Sequence, residues 1–219
     1  LEAQAERHDV HEEYLKAQMT LNGVVVTQNY GTIDMASEFG VSRPTQTVTT
    51  ATVLEDLQSA MSKSKKNLLT GGRVSGYILF ASPSLFNAII QSPDVLQAYQ
   101  FSQSGANPLR NELGSIANGY TMFRYGNIDV VLYDDAFQNK AGETLTVLEE
   151  GKGVLVPRTT LGGTVYAPAS TLSGLGKVGS KRFAQTYRDP KDRYIEVESE
   201  QSTLVINEQF GSTVEITLG

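Results

Sequence analysis

The 219-residue sequence contains no cysteine and only two histidines, His8 and His11. The first absence excludes disulfides, thiolate metal sites and cysteine nucleophiles. The second confines imidazole chemistry to one short segment, so no serine has a histidine in a recognisable triad order. Long apolar runs are missing as well. None approaches the ~20 residues of a membrane span, and no basic-then-apolar leader opens the chain, so a soluble protein is expected. Basic residues are outnumbered, 18 Lys and Arg against 24 Asp and Glu for a net charge of −6, which argues against a free nucleic-acid-binding surface.

The length suits one substantial domain or two interlocked ones, with ~70% of the unfolded surface buried on folding. Residues 1–18 are charged and rich in helix formers, with Val10, Tyr14, Ala17 and Leu21 at helical spacing, which predicts an amphipathic helix. It starts without a capping residue or an initiator Met, so a longer parent helix and a removed N-terminus are expected. Asn22-Gly23 between apolar residues predicts a hairpin turn, followed by a short strand at 31–35.

A helix is expected from Val53 through Met61, ended by Lys63-Ser64-Lys65-Lys66. A strand is expected at 77–81, and two helices start at Ser82-Pro83 and Ser92-Pro93. Strand patterns recur at 120–124, 128–133, 144–148 and 153–156. Residues 159–180 are dense in Gly, Ser, Thr and Pro and read as a long functional or mobile connection. After Asp189-Pro190, period-two alternation returns: Ile195 and Val197 oppose Glu196, Glu198 and Glu200, and Val214, Ile216 and Leu218 oppose Thr213, Glu215 and Thr217. This predicts a closing antiparallel meander that returns to the sheet begun near the N-terminus. The class is α+β.

Candidate chemistry is thin. His8, His11 and Glu12 could offer two imidazoles and a carboxylate to a divalent metal, with Asp134 as a remote fourth group in a metal-assisted hydrolase. Structural zinc needs three or four converging ligands, and nothing downstream repeats the pattern, so a solvated helix face is favoured. Asp134-Asp135 and Glu149-Glu150 are paired acids, but neighbours on a strand point to opposite faces and supply one group each. Gly71-Gly72-Arg73, Gly162-Gly163 and Gly174-Leu175-Gly176 lack the strand, turn and helix spacing of a phosphate loop. The lysine run suits a helix C-terminus. Tyr120, Phe123, Tyr125 and Tyr133 suit a core as well as a binding platform. No catalytic, cofactor or metal residue is assigned.

The ordered set of Met19-Thr20-Leu21-Asn22-Gly23, Ile33-Asp34-Met35, Gly76-Tyr77-Ile78-Leu79-Phe80, Gly126-Asn127-Ile128-Asp129-Val130-Val131-Leu132-Tyr133 and Gly153-Val154-Leu155-Val156 carries a family resemblance. With Asp189-Pro190, Arg193, Gln201-Ser202, Leu204, Phe210 and Val214, it resembles the lambda-like phage major capsid protein, the capsid protein E family, over nearly the whole chain. The family's N-terminal arm and extended loop have no counterpart in it.

The resemblance implies the Hong Kong 97-type capsid fold. Residues 1–48 and 189–219 would form a peripheral domain, with the end of a spine helix, a hairpin and the closing strands. Residues 49–188 would form an inserted mixed α/β axial domain, with 159–180 as a contact at a ring centre. It implies no enzyme activity, no cofactor and a shell subunit of a phage or prophage head, assembled in the bacterial cytoplasm and resident in the virion. Its partners would be other copies in pentamers and hexamers, a decoration protein and a scaffold, with packaged DNA touched only non-specifically. A bacterial nanocompartment shell of the same fold is the related alternative.

Overall fold

The helix formers at the start of the chain build α1 (Glu2–Ala17) in the computed structural model, which describes residues 2–27, 30–68, 73–100, 116–117, 120–139, 141–159, 162–174 and 176–219. A π turn, Gln18–Asn22, continues the helix to Gly23, whose φ of 71° lets its N–H reach the carbonyls of Gln18 and Met19. A Cβ at residue 23 would run into the Phe210 ring, so backbone and packing both select glycine. Asn22-Gly23 is therefore a helix end and not the expected hairpin turn, since the same left-handed backbone serves either purpose. The hairpin follows it: β1 (Val24–Thr27) pairs antiparallel with β2 (Gly31–Asp34).

Asp34 caps α2 (Met35–Phe39), accepting from Ala36 N at 3.0 Å. Next come β3 (Thr45–Val48) and α3 (Val53–Lys66), whose last turn holds Lys63, Lys65 and Lys66 where the helix dipole favours cations. The two Ser-Pro signals open α4 (Pro83–Ile90) and α5 (Pro93–Gln100) after β4 (Tyr77–Ala81). Ser92 Oγ accepts from Val95 N at 3.4 Å, but α4 takes its cap from far along the chain, where Glu150 accepts from Ser84 N at 2.9 Å. The remaining strands are β5 (Ile116–Ala117), β6 (Tyr120–Tyr125), β7 (Ile128–Leu132), β8 (Ala136–Gln138), β9 (Thr144–Thr146) and β10 (Lys152–Pro157). They are followed by β11 (Gly163–Tyr166), β12 (Phe183–Arg188), β13 (Ile195–Glu200), β14 (Thr203–Ile206) and β15 (Val214–Leu218).

Seven strands form the main sheet in the order β3-β15-β10-β4-β7-β6-β5, with β3–β15 and β4–β7 parallel. Alternation along β4 separates its two sides. Tyr77, Leu79 and Ala81 pack with Leu57 and Ala60 of α3 and with Leu85, Phe86 and Ile89 of α4. Phe80 lies on the other side with Val154, Tyr133, Val147 and Leu21, against Tyr14 and Ala17 of α1. Leu15, Met19, Val25, Met35, Val205 and Phe210 make a third cluster joining α1 to the first hairpin and β14. The α+β class is as expected.

Topology departs from expectation at the C-terminus. The closing strands form no meander: β13 pairs with β12, β14 with β11, and β15 enters the main sheet between β3 and β10. None pairs with the β1–β2 hairpin. Asp189-Pro190 lies at the tip of the β12–β13 ribbon, where Asp189 N donates to Tyr194 O at 3.1 Å. Residues 159–180 are not a structureless connection, because β11 and the 3-10 turn Leu172–Gly174 lie within them. Pairing thus crosses the expected division of the chain: β3 and β15 join the main sheet, while β11 and β12 pair with β14 and β13. Alternation reports which residues share a face but not which strand lies alongside.

Candidate functional site

The expected apolar seam of α1 is only half right. Val10 is 53% exposed, whereas Glu12 is buried beside Leu15. A buried carboxylate must be paired or bonded, and four chain segments do this. Its Oε1 accepts from Lys16 Nζ at 2.6 Å and from the Tyr166 hydroxyl at 3.2 Å. Its Oε2 accepts from Gln201 Nε2 at 2.9 Å, with Lys181 Nζ at 3.5 Å. Burial pushes the Glu12 pKa up, but Lys16, the Lys181 charge and the Tyr166 hydroxyl outweigh it and hold the group below the ordinary glutamate value. One turn earlier, Asp9 pairs with Arg182 and with Lys181 at 3.0 Å, and these bonds lower its pKa.

The two histidines have separate surroundings. His8 Nε2 lies 3.0 Å from Ser199 Oγ on the ribbon side of α1. His11 lines a groove with Val10, Tyr14 and Phe137 on the β8–β9 side, and burial followed by the His8 charge lowers its pKa. Glu12 spends both oxygens on cations and donors. The three are not brought together as a ligand set, and among the described residues no three His, Asp or Glu side chains are grouped to hold a metal.

The other candidates resolve into architecture. Asp135 accepts from the Tyr120 hydroxyl, which raises the Tyr120 pKa to about 12. Glu149 pairs with Lys152 at 2.7 Å, and Glu150 caps α4. Phe123 is fully buried and meets Phe86 edge-on at 5.6 Å, while Tyr120 stacks on Tyr133 at 6.2 Å, so these rings are packing groups. Lys63 donates to Thr45 O at 2.7 Å, tying α3 to the edge strand β3. Gly71 and Gly72 lie outside the described residues, as does Leu175.

A buried acid and a half-buried arginine had not been anticipated. Asp129 on β7 is 3% exposed and binds Arg124 Nε at 2.6 Å and Arg158; Arg124 hydrogen bonding, against burial, lowers its pKa. An acid inside the apolar run Ile128-Asp129-Val130-Val131-Leu132 was the available signal. Arg43 donates to Leu21 O at 2.6 Å and lies 5.4 Å from the Phe210 ring centre, and burial, opposed by Glu215, lowers its pKa to about 10. No catalytic constellation emerges among the described residues. Polar bonds instead lock α1 to β11, to the approach to β12, to β13 and to the β13–β14 turn.

The sequence profile described as phage major capsid protein E matches residues 1–218. The chain belongs to this family. The curated major capsid protein of Pseudomonas phage KPP10 is 29% identical over 181 residues, covering 79% of this chain and 50% of that protein. The chain thus spans about half the length of this capsid relative. The crystal structure of a protein described as a prophage capsid protein of E. coli CFT073 superposes with a TM-score of 0.62. It shares 11% identity over 94% of this chain and 62% of that one, a likeness of fold alone.

Proposed function

We propose that this chain is part of a structural shell subunit of a tailed-phage or prophage head, assembled in the bacterial cytoplasm and resident in the virion capsid. The family match over residues 1–218 carries the reading. Physical features support it: Glu12, Asp135, Glu149 and Glu150 are each engaged in a cap, an ion pair or a hydrogen bond, and α1 is bonded to distant segments of the chain. The subunit turns over no substrate. Its partners are other copies in closed rings, with head decoration and scaffold proteins as further partners, and the −6 charge keeps contact with packaged DNA weak.

The proposed division follows the sheets. The axial body is the main sheet with α3, α4 and α5. The peripheral part is α1, the β1–β2 hairpin, α2 and the β11–β14 and β12–β13 pairs. This keeps the expected two-part plan and moves its boundaries to the pairings seen.

Expression of the full-length parent, followed by light scattering and negative-stain microscopy, tests the reading. Rings or closed shells are expected, and a protein that stays monomeric at high concentration overturns it.

A further inference from the structure

We infer that β12 is an open strand edge to which a second copy of this chain adds its own β12, antiparallel and centred on Thr186. This rests on the shell-subunit reading and names a surface through which copies meet. Asp189 N donates to Tyr194 O at 3.1 Å, which makes 189 and 194 a hydrogen-bonded pair next to the Arg188–Ile195 pair of the ladder. Hydrogen-bonded and open pairs alternate along an antiparallel ladder, so the backbones of Phe183, Gln185 and Tyr187 bond to β13 while Ala184, Thr186 and Arg188 turn their N–H and C=O outward. The contact from α1 has the same phase: Gln4 Nε2 donates at 3.4 Å to the carbonyl of Val197, the residue across from Thr186. Among the described residues no further strand meets the outward groups of β12, which shares a two-stranded sheet with β13 alone.

An unpaired edge is a template for another strand, and folded proteins blunt such edges with charges, proline, a bulge or a cover. β12 has little of this. It contains no proline or glycine, its residues pair with β13 without a bulge, and it is exposed from Ala184 to Arg188. Its one charge, Arg188, is spent on Asp192 at 2.6 Å. The outer edge of β13 is better guarded, since Gln4 and His8 of α1 reach it at Val197 and Ser199, and Glu196, Glu198 and Glu200 stand along the strand.

Charge selects the occupant. Two β13 strands set antiparallel about Val197 oppose Glu196 to Glu198, and like charges directly opposite are destabilising. Two β12 strands set about Thr186 oppose Thr186 to Thr186, Tyr187 to Gln185 and Arg188 to Ala184, with no like charges face to face. Joining two ribbons doubles the strand number and lifts the sheet past the marginal two-stranded state. The contact is two-fold and self-complementary. Head-to-tail contacts close copies into rings, and a two-fold contact of this kind can then join one ring to the next.

Proline at 186 separates strand addition from folding, because the N–H it removes points away from the β12–β13 ladder, where an edge strand tolerates proline. Full-length protein carrying Thr186→Pro is expected to keep its thermal unfolding and to lower the assembled fraction, read by light scattering, by about tenfold or more. Thr186→Val keeps the N–H and is expected to assemble as the unaltered protein does. Residue-resolved hydrogen exchange of the unaltered full-length protein gives a reading that needs no variant: Ala184, Thr186 and Arg188 should slow on assembly, with Ile195 and Val197 little changed. Equal rates at the three β12 amides in free and assembled protein, or shells that form normally from Thr186→Pro, overturn the inference and leave the shell reading intact. Slowing at Ile195 and Val197 as well would place β12 against β13 of the next copy and overturn the two-fold pairing. Dimers with the three amides slowed, but no rings or shells, would support this contact and count against the shell reading, and a protein that stays monomeric would remove both.

Discussion

Leu79, Leu155 and Ile216 of the main sheet are wholly shielded from solvent, whereas Ile195 and Val197 of the β12–β13 ribbon keep 66% and 37% of their surface exposed. Both regions alternate apolar and polar residues, yet only one has helices over the alternating face. The sheet is held chiefly by apolar burial, the main source of folding free energy. The ground around α1 is held by a modest apolar cluster and by charge, through Glu12 and Asp9 with Lys16, Lys181 and Arg182. A two-stranded ribbon is marginal by itself. The difference is one of cover: helices close over the face of the main sheet, and the α1 side keeps apolar surface exposed, which other copies would cover under the proposed shell reading.

The comparison can be broken most severely within the sheet. Phe123→Ala removes a fully buried ring from between β6 and α4, and a loss of about 3–5 kcal/mol in global stability is expected by chemical denaturation. Equal loss from a ribbon substitution such as Ile195→Ala would erase the distinction. Glu12→Gln removes the charge at the α1 joint, with an expected cost of about 1–3 kcal/mol. Hydrogen exchange should then quicken in β11 and β14 more than in β4 and β10. Uniform quickening would show one cooperative unit instead.

Acid sharpens the contrast. The folded-state pKa values of Asp9 and Glu12 lie below their ordinary values. Their stabilisation is therefore complete above those values and is lost as pH falls through the folded pKa. Asp129 behaves likewise within the sheet, held down by Arg124 and Arg158. Glu12→Gln should flatten the acid limb for probes on β11 and β14 and leave it unchanged for probes on β7. The smallest effect is expected from Glu149→Gln, because Glu149 is itself well exposed, with a change within about 0.5 kcal/mol in denaturant titrations.

Much of the sheet's local structure was legible. The Ser-Pro starts of α4 and α5, the apolar strand β4 and the α3 face with its basic end all match local rules of capping and periodicity. Partner choice was not legible. β11 is a four-residue strand hidden in Gly- and Thr-rich sequence, and only its pairing with β14 makes it one. Asn22-Gly23 carried the right backbone signal, but the Phe210 ring across the chain decides how it is used. The joint around Glu12 was not legible. His8, His11 and Glu12 are close in sequence, yet the helix distributes them among different neighbours, and the donors that occupy Glu12 come from residues 16, 166 and 201.

Hydrogen exchange of the full-length protein, free and assembled, tests most directly the claim that the sheet is complete in one copy while the α1 side awaits others. Assembly is expected to slow exchange in the first turns of α1, in β8–β9 and in the β12–β13 ribbon, with β4, β7 and β10 unchanged. Protection gained only in the main sheet, with the α1 side exchanging as fast in assemblies as in free subunits, would contradict it.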